Sequence, residues 1–271
     1  MGRNKLLSTT VGIVVTVTLL AFAMLMRPAH CSTTTPASAT EVASSLTHGV
    51  AWIWPDSNGP KRGDAVSYPE AAVLIESLML RNGIAQHGGR TSSLNLPTDV
   101  RILPVIHVEV GEDEPAQFTE AQITAVLAAV RRQAGVAASG AGWLQLDFEA
   151  PARQREAYRA LVTSIRQALP ASVRLSVTAL AHWCTQGNWL DQLPVDEVVP
   201  MLYRLGPHAG HWRDLFTKDS SSLAQRCRGS ALGFATNDPP SLELLQRTPR
   251  PYWFDETAWS NPSHPPRYIT P

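Results

Sequence analysis

Net charge is what this sequence lacks: 23 basic residues are matched by 23 acidic ones across 271 positions. A nucleic-acid partner asks for a basic stripe or patch, so composition gives that class no support. Cysteine is scarce as well, with only Cys31, Cys184 and Cys227. That excludes a disulfide-dense mini-protein, and without a histidine at ligand spacing it makes no zinc site. His182, His208 and His211 lack tight ligand spacing too, so no metal is expected. No Gly-rich phosphate fingerprint follows an early strand, which counts against a doubly wound nucleotide-binding sheet, and no cofactor is expected. No internal repeat of fixed period is present.

What is there begins with an apolar run, Leu6 to Met26, broken only by Ser8, Thr9, Thr10, Thr16 and Thr18 and preceded by Arg3 and Lys5. Such a run is a signal sequence or signal anchor. Its length, about 21 residues, suits a membrane span, and the leading positive charges predict the following domain on the outer side. Residues 1–30 are therefore read as the signal or anchor segment. Residues 31–47, rich in Ser, Thr and Ala, are read as a flexible linker, and 48–271 as one domain. Membrane contact is expected through the N-terminal segment only, with the domain periplasmic or secreted if that segment is cleaved. In an oxidising compartment Cys184 and Cys227 form an even pair, either a disulfide closing a loop of roughly 40 residues or two buried thiols.

Within the domain, eight segments read as strands: Gly49–Trp54, Ala71–Leu80, Val100–Val110, Gly142–Glu149, Val173–Leu180, Val195–Leu205, Ser230–Ala235 and Pro251–Phe254. Ala71–Leu80 is apolar throughout, and its place between two strands decides it as a strand. Pro104 is an awkward member of the third. Helices are expected over Phe118–Gln133, with Thr119 as cap, and over Ala152–Leu169, whose stripe is Tyr158, Leu161, Val162, Ile165 and Leu169. Short helices follow at Asn188–Gln192 and Leu242–Gln246, and the stretch holding His208, His211 and Trp212 reads as loop. Strands alternating with helices point to an α/β (β/α)8 TIM-like barrel with irregular, shortened outer helices; a doubly wound sheet is the runner-up.

The fourth strand, G-W-L-Q-L-D-F-E-A-P, alternates cleanly. With a side-chain period of two, Trp143, Gln145, Asp147 and Glu149 share one face, the two carboxylates roughly 7 Å apart along the strand. A Pro-initiated helix follows at once, so these acids stand at a strand's carboxyl end, where barrels place their chemistry. The other strands bring His107 and Glu109, His182 and Trp183, Tyr203 and Arg204, and Trp253, Asp255 and Glu256 to the same mouth. Acids, a phenol, an imidazole and indoles around one cavity suit acid/base work on a polar, ring-shaped substrate.

L-D-F-E at Leu146–Glu149 resembles the end of the D-x-x-D-x-D-x-E strand motif of chitinase-like, family 18 glycoside hydrolases, and Met201-Leu202-Tyr203 is similar to that family's M-x-Y. The resemblance implies that Glu149 protonates the glycosidic oxygen, that Asp147 orients the substrate's acetamido nucleophile, and that Tyr203 assists. Gly142 and Gln145 stand where the motif has its earlier Asp residues, and Arg204 where an Asp often follows the Tyr. L-Q-L-D-F-E-A-P, A-H-W-C and V-V-P-M-L-Y-R-L-G also resemble a family of exported bacterial barrel proteins with no assigned activity.

Two functions from different classes follow. One is an exported glycosidase-like enzyme acting on an amino-sugar or envelope polymer, with His107, Glu109, Gln145, Trp183, Arg204, Trp253 and Asp255 binding substrate. The other is a catalytically silent barrel that binds a glycan or protein at the envelope. Gln145 favours the second, because it cannot share a proton with Asp147, and Glu149 favours the first. For the acids themselves the alternative is a structural ion pair with Arg204 or with another basic residue at the mouth.

Overall fold

Alternating and continuous apolar runs become parallel strands here because each is flanked by turns or helices that return the chain to the same edge. A computed structural model describes residues 37–38, 49–54, 68–89, 96–228 and 231–254. The signal or anchor segment, Cys31, Asp255 and Glu256 lie outside the described residues. Among the described residues no helix is long and apolar enough to cross a membrane.

The elements in chain order are β1 (Val50–Ile53), β2 (Glu70–Arg81), β3 (Ile84–Gly89), β4 (Arg101–Val110), α1 (Glu120–Ser139), β5 (Trp143–Phe148), α2 (Arg155–Ala168), β6 (Arg174–Leu180), β7 (Glu197–Met201), α3 (Ala209–Lys218), β8 (Ala231–Ala235), α4 (Leu242–Gln246) and β9 (Arg250–Phe254). Their order in the sheet is β1-β9-β8-β7-β6-β5-β4-β2-β3, and β1 also pairs in parallel with β2. Eight parallel strands thus close into a TIM-like barrel. The ninth, β3, is antiparallel to β2 and hangs outside the ring.

β3 and α3 were not expected from the sequence. The hairpin turns on Asn82 and Gly83, both at positive φ (53° and 74°), the geometry of a two-residue type I′ turn. α3 covers the stretch read as a loop around His211 and Trp212. Its Trp212, Leu215 and Phe216 fall at helical spacing and pack on the core. The outer helices are uneven. α1 and α2 run for 20 and 14 residues, while α4 has five and several connections are 3₁₀ turns.

α1 starts on a capping box, with Thr119 and Gln122 exchanging side-chain bonds to backbone. It ends at Gly140, where an added Cβ would lie 2.2 Å from the Ile102 carbonyl oxygen, so only glycine lets the chain pass β4. Arg132 and Gln133 of α1 grip Glu76 of β2 at 2.6 Å each, and this holds the Glu76 carboxyl below its usual range against the opposing effect of burial. Pro104 is tolerated because β4 first pairs with β5 at Val105, one residue later.

Two apolar layers result. Leu144, Leu146 and Phe148 of β5 face outward against Val126 and Val130 of α1 and Tyr158, Leu161 and Ile165 of α2. Val50, Trp52, Leu74, Leu103, Val105, Val199, Tyr252 and Phe254 fill the interior. At the amino-terminal end the interior is polar. Glu70 accepts from Arg101 (2.7 Å) and Arg250 (2.6 Å), and Glu197 accepts from Tyr252 (2.7 Å) and Ser176 (2.8 Å). Trp143 lies under the guanidinium groups of Arg174 and Arg250, 4.0 and 4.9 Å from its ring centre. The linker reaches this domain at Ala37, which is buried and donates its N–H to the Pro240 carbonyl oxygen (3.1 Å).

Cys184 and Cys227 are joined as a disulfide, both essentially unexposed, tying the turn after β6 to the turn before β8. Their separation is 43 residues. A loop of that length lowers unfolded-chain entropy by an amount worth about 4 kcal/mol. Replacing both with alanine should lower the melting temperature by roughly 10 °C. Thermal unfolding by circular dichroism checks this, and an unchanged midpoint would show that the tether adds nothing.

Candidate active site

Register, not sequence proximity, assembles the site. β4 pairs with β5 so that His107 lies opposite Asp147, and β5 pairs with β6 so that Gln145 lies opposite Ser176. All point inward by strand alternation. Asp147, 3% exposed, accepts from the Thr178 hydroxyl on Oδ1 (2.7 Å) and from His107 Nδ1 on Oδ2 (2.9 Å). His107 Nε2 meets Glu109 Oε1 at 3.0 Å. An imidazole between two carboxylates bonds to both only if both nitrogens carry protons. Burial alone would lower its pKa. The hydrogen bond and charge of Asp147, joined by those of Glu109, outweigh that and raise it to about 10. The same bond from His107 holds Glu109 below the usual carboxylate range.

Glu149 follows directly after β5. Its side chain reaches solvent, yet enough protein surrounds the carboxyl to strip much of its hydration. That desolvation, reinforced by the charge of Asp147 and more weakly by Glu109, raises its pKa to about 7, with His107 opposing. The charges acting on Glu149 include those of the His107 cluster. Arg204 sits exposed on a turn at φ 53°.

Across the mouth, Tyr203 stacks on Phe254 (5.3 Å between centroids, 11°) and stands edge-on to Trp52 (6.3 Å). Its hydroxyl lies 3.3 Å from the Met201 sulfur. Trp54, at the end of β1, turns its edge toward His107 at 5.2 Å.

Three expected substrate-binding residues lie elsewhere. Gln145 is fully buried one step below Asp147 and donates to the Ser176 hydroxyl (3.1 Å), so it belongs to the polar interior. Trp253 faces outward from β9, 1% exposed, against Phe234 and Gly49, because alternation sends its neighbours Tyr252 and Phe254 inside. Trp183 is buried in the outer layer against Tyr158 and Trp189. His107, Glu109, Asp147 and Glu149 do come together. Thr178, Trp52, Trp54 and Phe254 were missed, although V-R-L-S-V-T-A-L does put Ser176 and Thr178 on one polar face. Among the described residues no group of three or more His, Cys, Asp or Glu side chains is placed to hold a metal ion.

Fold and site together define a TIM-like α/β barrel with a carboxylate–imidazolium cluster at its carboxyl-terminal mouth. No family model matches the chain, and no curated protein does. Among solved structures it is similar to the catalytic domain of a family GH18 chitinase from the fern Peteris ryukyuensis, at 14% identity and TM-score 0.47 over 79% of this chain and 94% of that one. It is also similar to the Bacillus cereus spore cortex-lytic enzyme SleL, at 18% identity and TM-score 0.41 over 69% and 50%. The barrel rests on its own strand order, and no residue's role follows from either likeness.

The raised pKa of His107 makes stability depend on pH. The folded state keeps its proton to about 10, whereas the unfolded imidazole loses it near 6.5. The contribution is thus complete below 6.5 and is lost as pH rises through 10. Between those values wild type should lose stability relative to His107→Gln by up to about 1.4 kcal/mol per pH unit. Urea unfolding of both proteins at pH 8 and 9.5 tests this, and a difference that does not change with pH would rule out the buried imidazolium.

Proposed function

We propose that this chain is an exported glycoside hydrolase-like barrel that cleaves an amino-sugar glycan, with Glu149 as the general acid. The observation that carries the reading is a solvent-reachable carboxyl at a barrel strand's carboxyl end whose pKa is raised to about 7 beside a buried carboxylate. A carboxyl that keeps its proton near neutral pH is suited to protonate a leaving group. In the reaction, the glycosidic oxygen takes the Glu149 proton as its bond to the anomeric carbon breaks. The carbonyl oxygen of the substrate's own acetamido group attacks that carbon. Water then opens the resulting ring, and its proton returns to Glu149. Asp147 lends negative charge to the developing cation, and Tyr203 and Trp54 offer ring edges and a hydroxyl to a sugar.

Export is supported by the apolar run behind Arg3 and Lys5 and by the disulfide, a bond that persists in oxidising compartments. This would put the barrel on the outer side of the cytoplasmic membrane, or in the periplasm or medium after cleavage. A second reading, a catalytically silent glycan-binding barrel, is favoured by one observation: Gln145 bonds to Ser176 and has no proton to share with Asp147.

Glu149→Gln should lower hydrolysis of chromogenic N-acetyl-amino-sugar glycosides by about 100-fold or more. In wild type the rate should fall about tenfold per pH unit above 7, as the acid loses its proton. Because burial and Asp147 disfavour the ionised carboxyl, the variant should melt at the same temperature or higher above pH 7. Wild-type binding without cleavage across a glycan panel would establish the silent barrel instead, and an unfolded variant would make the acid structural.

A further inference from the structure

Both oxygens of Asp147 are committed to the barrel. Oδ1 takes the Thr178 hydroxyl and Oδ2 the His107 ring, and that ring is gripped from its far side by Glu109. The ring lies edge-to-face with Trp54, 5.2 Å between centroids, and only 13% of the His107 side chain is exposed. A carboxylate that orients a substrate amide must turn an oxygen toward the ligand. With Thr178 and His107 already on its two oxygens and only 3% of the residue exposed, Asp147 has little open surface through which a remaining lone pair could meet a ligand. Among the described residues, these ionisable groups surround the pair. Asp147 and Glu109 face His107; Asp147, His107 and Glu109 act on Glu149; and Tyr158 of α2, behind the wall, feels the Asp147 charge.

We propose that His107 is a positioning residue: bridging Asp147 and Glu109 through its two ring nitrogens, it pins the Asp147 carboxylate beside Glu149, so that Asp147 acts as a fixed charge and leaves substrate contact to other groups. This rests on the reading of Glu149 as the acid. It replaces the substrate-orienting role that the sequence resemblance implies for Asp147.

Labelling glutamate carboxyl carbons with carbon-13, and assigning Glu149 from its loss in E149Q, reads the Glu149 midpoint by NMR with no substrate present. In wild type it is expected near 7. His107→Ala removes a positive charge that lowers it, so the midpoint rises by about one pH unit or more. Glu109→Gln keeps the ring on Asp147 but removes a carboxylate that raises it, so the midpoint falls. Shifts of opposite sign support the bridge, while an unmoved midpoint in either variant, or shifts of the same sign, overturns it. If His107→Ala does not fold, His107→Gln takes its place with the same expected sign.

Kinetics supply the second arm. Asp147→Asn should lower kcat at least tenfold while KM stays within about twofold, the pattern of a group that acts only in the transition state. A raised KM with kcat preserved would return Asp147 to direct substrate contact. Because the titration needs no turnover, opposite shifts in a chain that cleaves no glycan refute the hydrolase reading alone. Cleavage with a fixed midpoint refutes the bridge alone.

Discussion

The parallel pairing of Val50–Ile53 with Glu70–Val73 joins the first strand to the second while the ninth closes on the first from the other side, and it is this closure that gives the sheet an inside. In an open sheet, Glu70, Gln145, Asp147 and Glu197 would face solvent on one exposed surface. In a barrel they must be satisfied by one another, because there is little water to do it. The amino-terminal half of the interior meets most of that demand with the chain Gln145, Ser176, Glu197, Tyr252 and Arg250, continuing through Glu70 to Arg101, although the buried Gln145 Oε1 accepts no bond within it. The carboxyl-terminal half meets it with Thr178, Asp147, His107 and Glu109.

These two networks differ in where their excess charge goes. Below, carboxylates and guanidinium groups are matched, and burial still pushes the Glu197 carboxyl up against the pull of Arg250, Tyr252 and Ser176. Above, two carboxylates share one imidazolium, and the remaining negative charge is felt by Glu149, the one acid of the group just past the strand and open to solvent. The cluster therefore favours a proton at the mouth near neutral pH, with Asp147 of the same strand as its main source of negative charge.

Much of this was legible in the sequence, for reasons that can be traced to particular residues. The eight barrel strands announce themselves as short apolar or alternating runs, and the α2 stripe from Tyr158 to Ile165 is buried as its spacing requires. The Asn82-Gly83 turn is a strong hairpin signal, but the strand after it, I-A-Q-H-G-G, has too little apolar alternation to be read as one. α3 was hidden by Gly210 and His211 in its first turn. Trp253 was misplaced because P-Y-W-F is apolar on both faces, so alternation cannot say which side looks inward. The His107–Asp147 contact was out of reach for a different reason. It depends on the register between β4 and β5, which is fixed by closure and by the α1 crossover rather than by either strand alone.

Gln145 shows how local pattern and closed structure can disagree about the same residue. Compared with a strand motif carrying three inward carboxylates, an amide at this position looks like a lost acid. Inside the barrel it is a donor to Ser176, which in turn donates to Glu197, and a carboxylate there would stand between Asp147 and Glu197, whose cationic partners His107 and Arg250 are already engaged. The counter-charge for Asp147 comes from the neighbouring strand instead, in the row directly above. An imidazolium in that place does what a shared proton between two acids would do, since it lets Asp147 remain buried. It also fixes the carboxylate's orientation, which a shared proton would leave free to alternate. Gln145 and His107 are thus two parts of one electrostatic arrangement around Asp147, whose charge favours the proton on Glu149 while that of His107 opposes it.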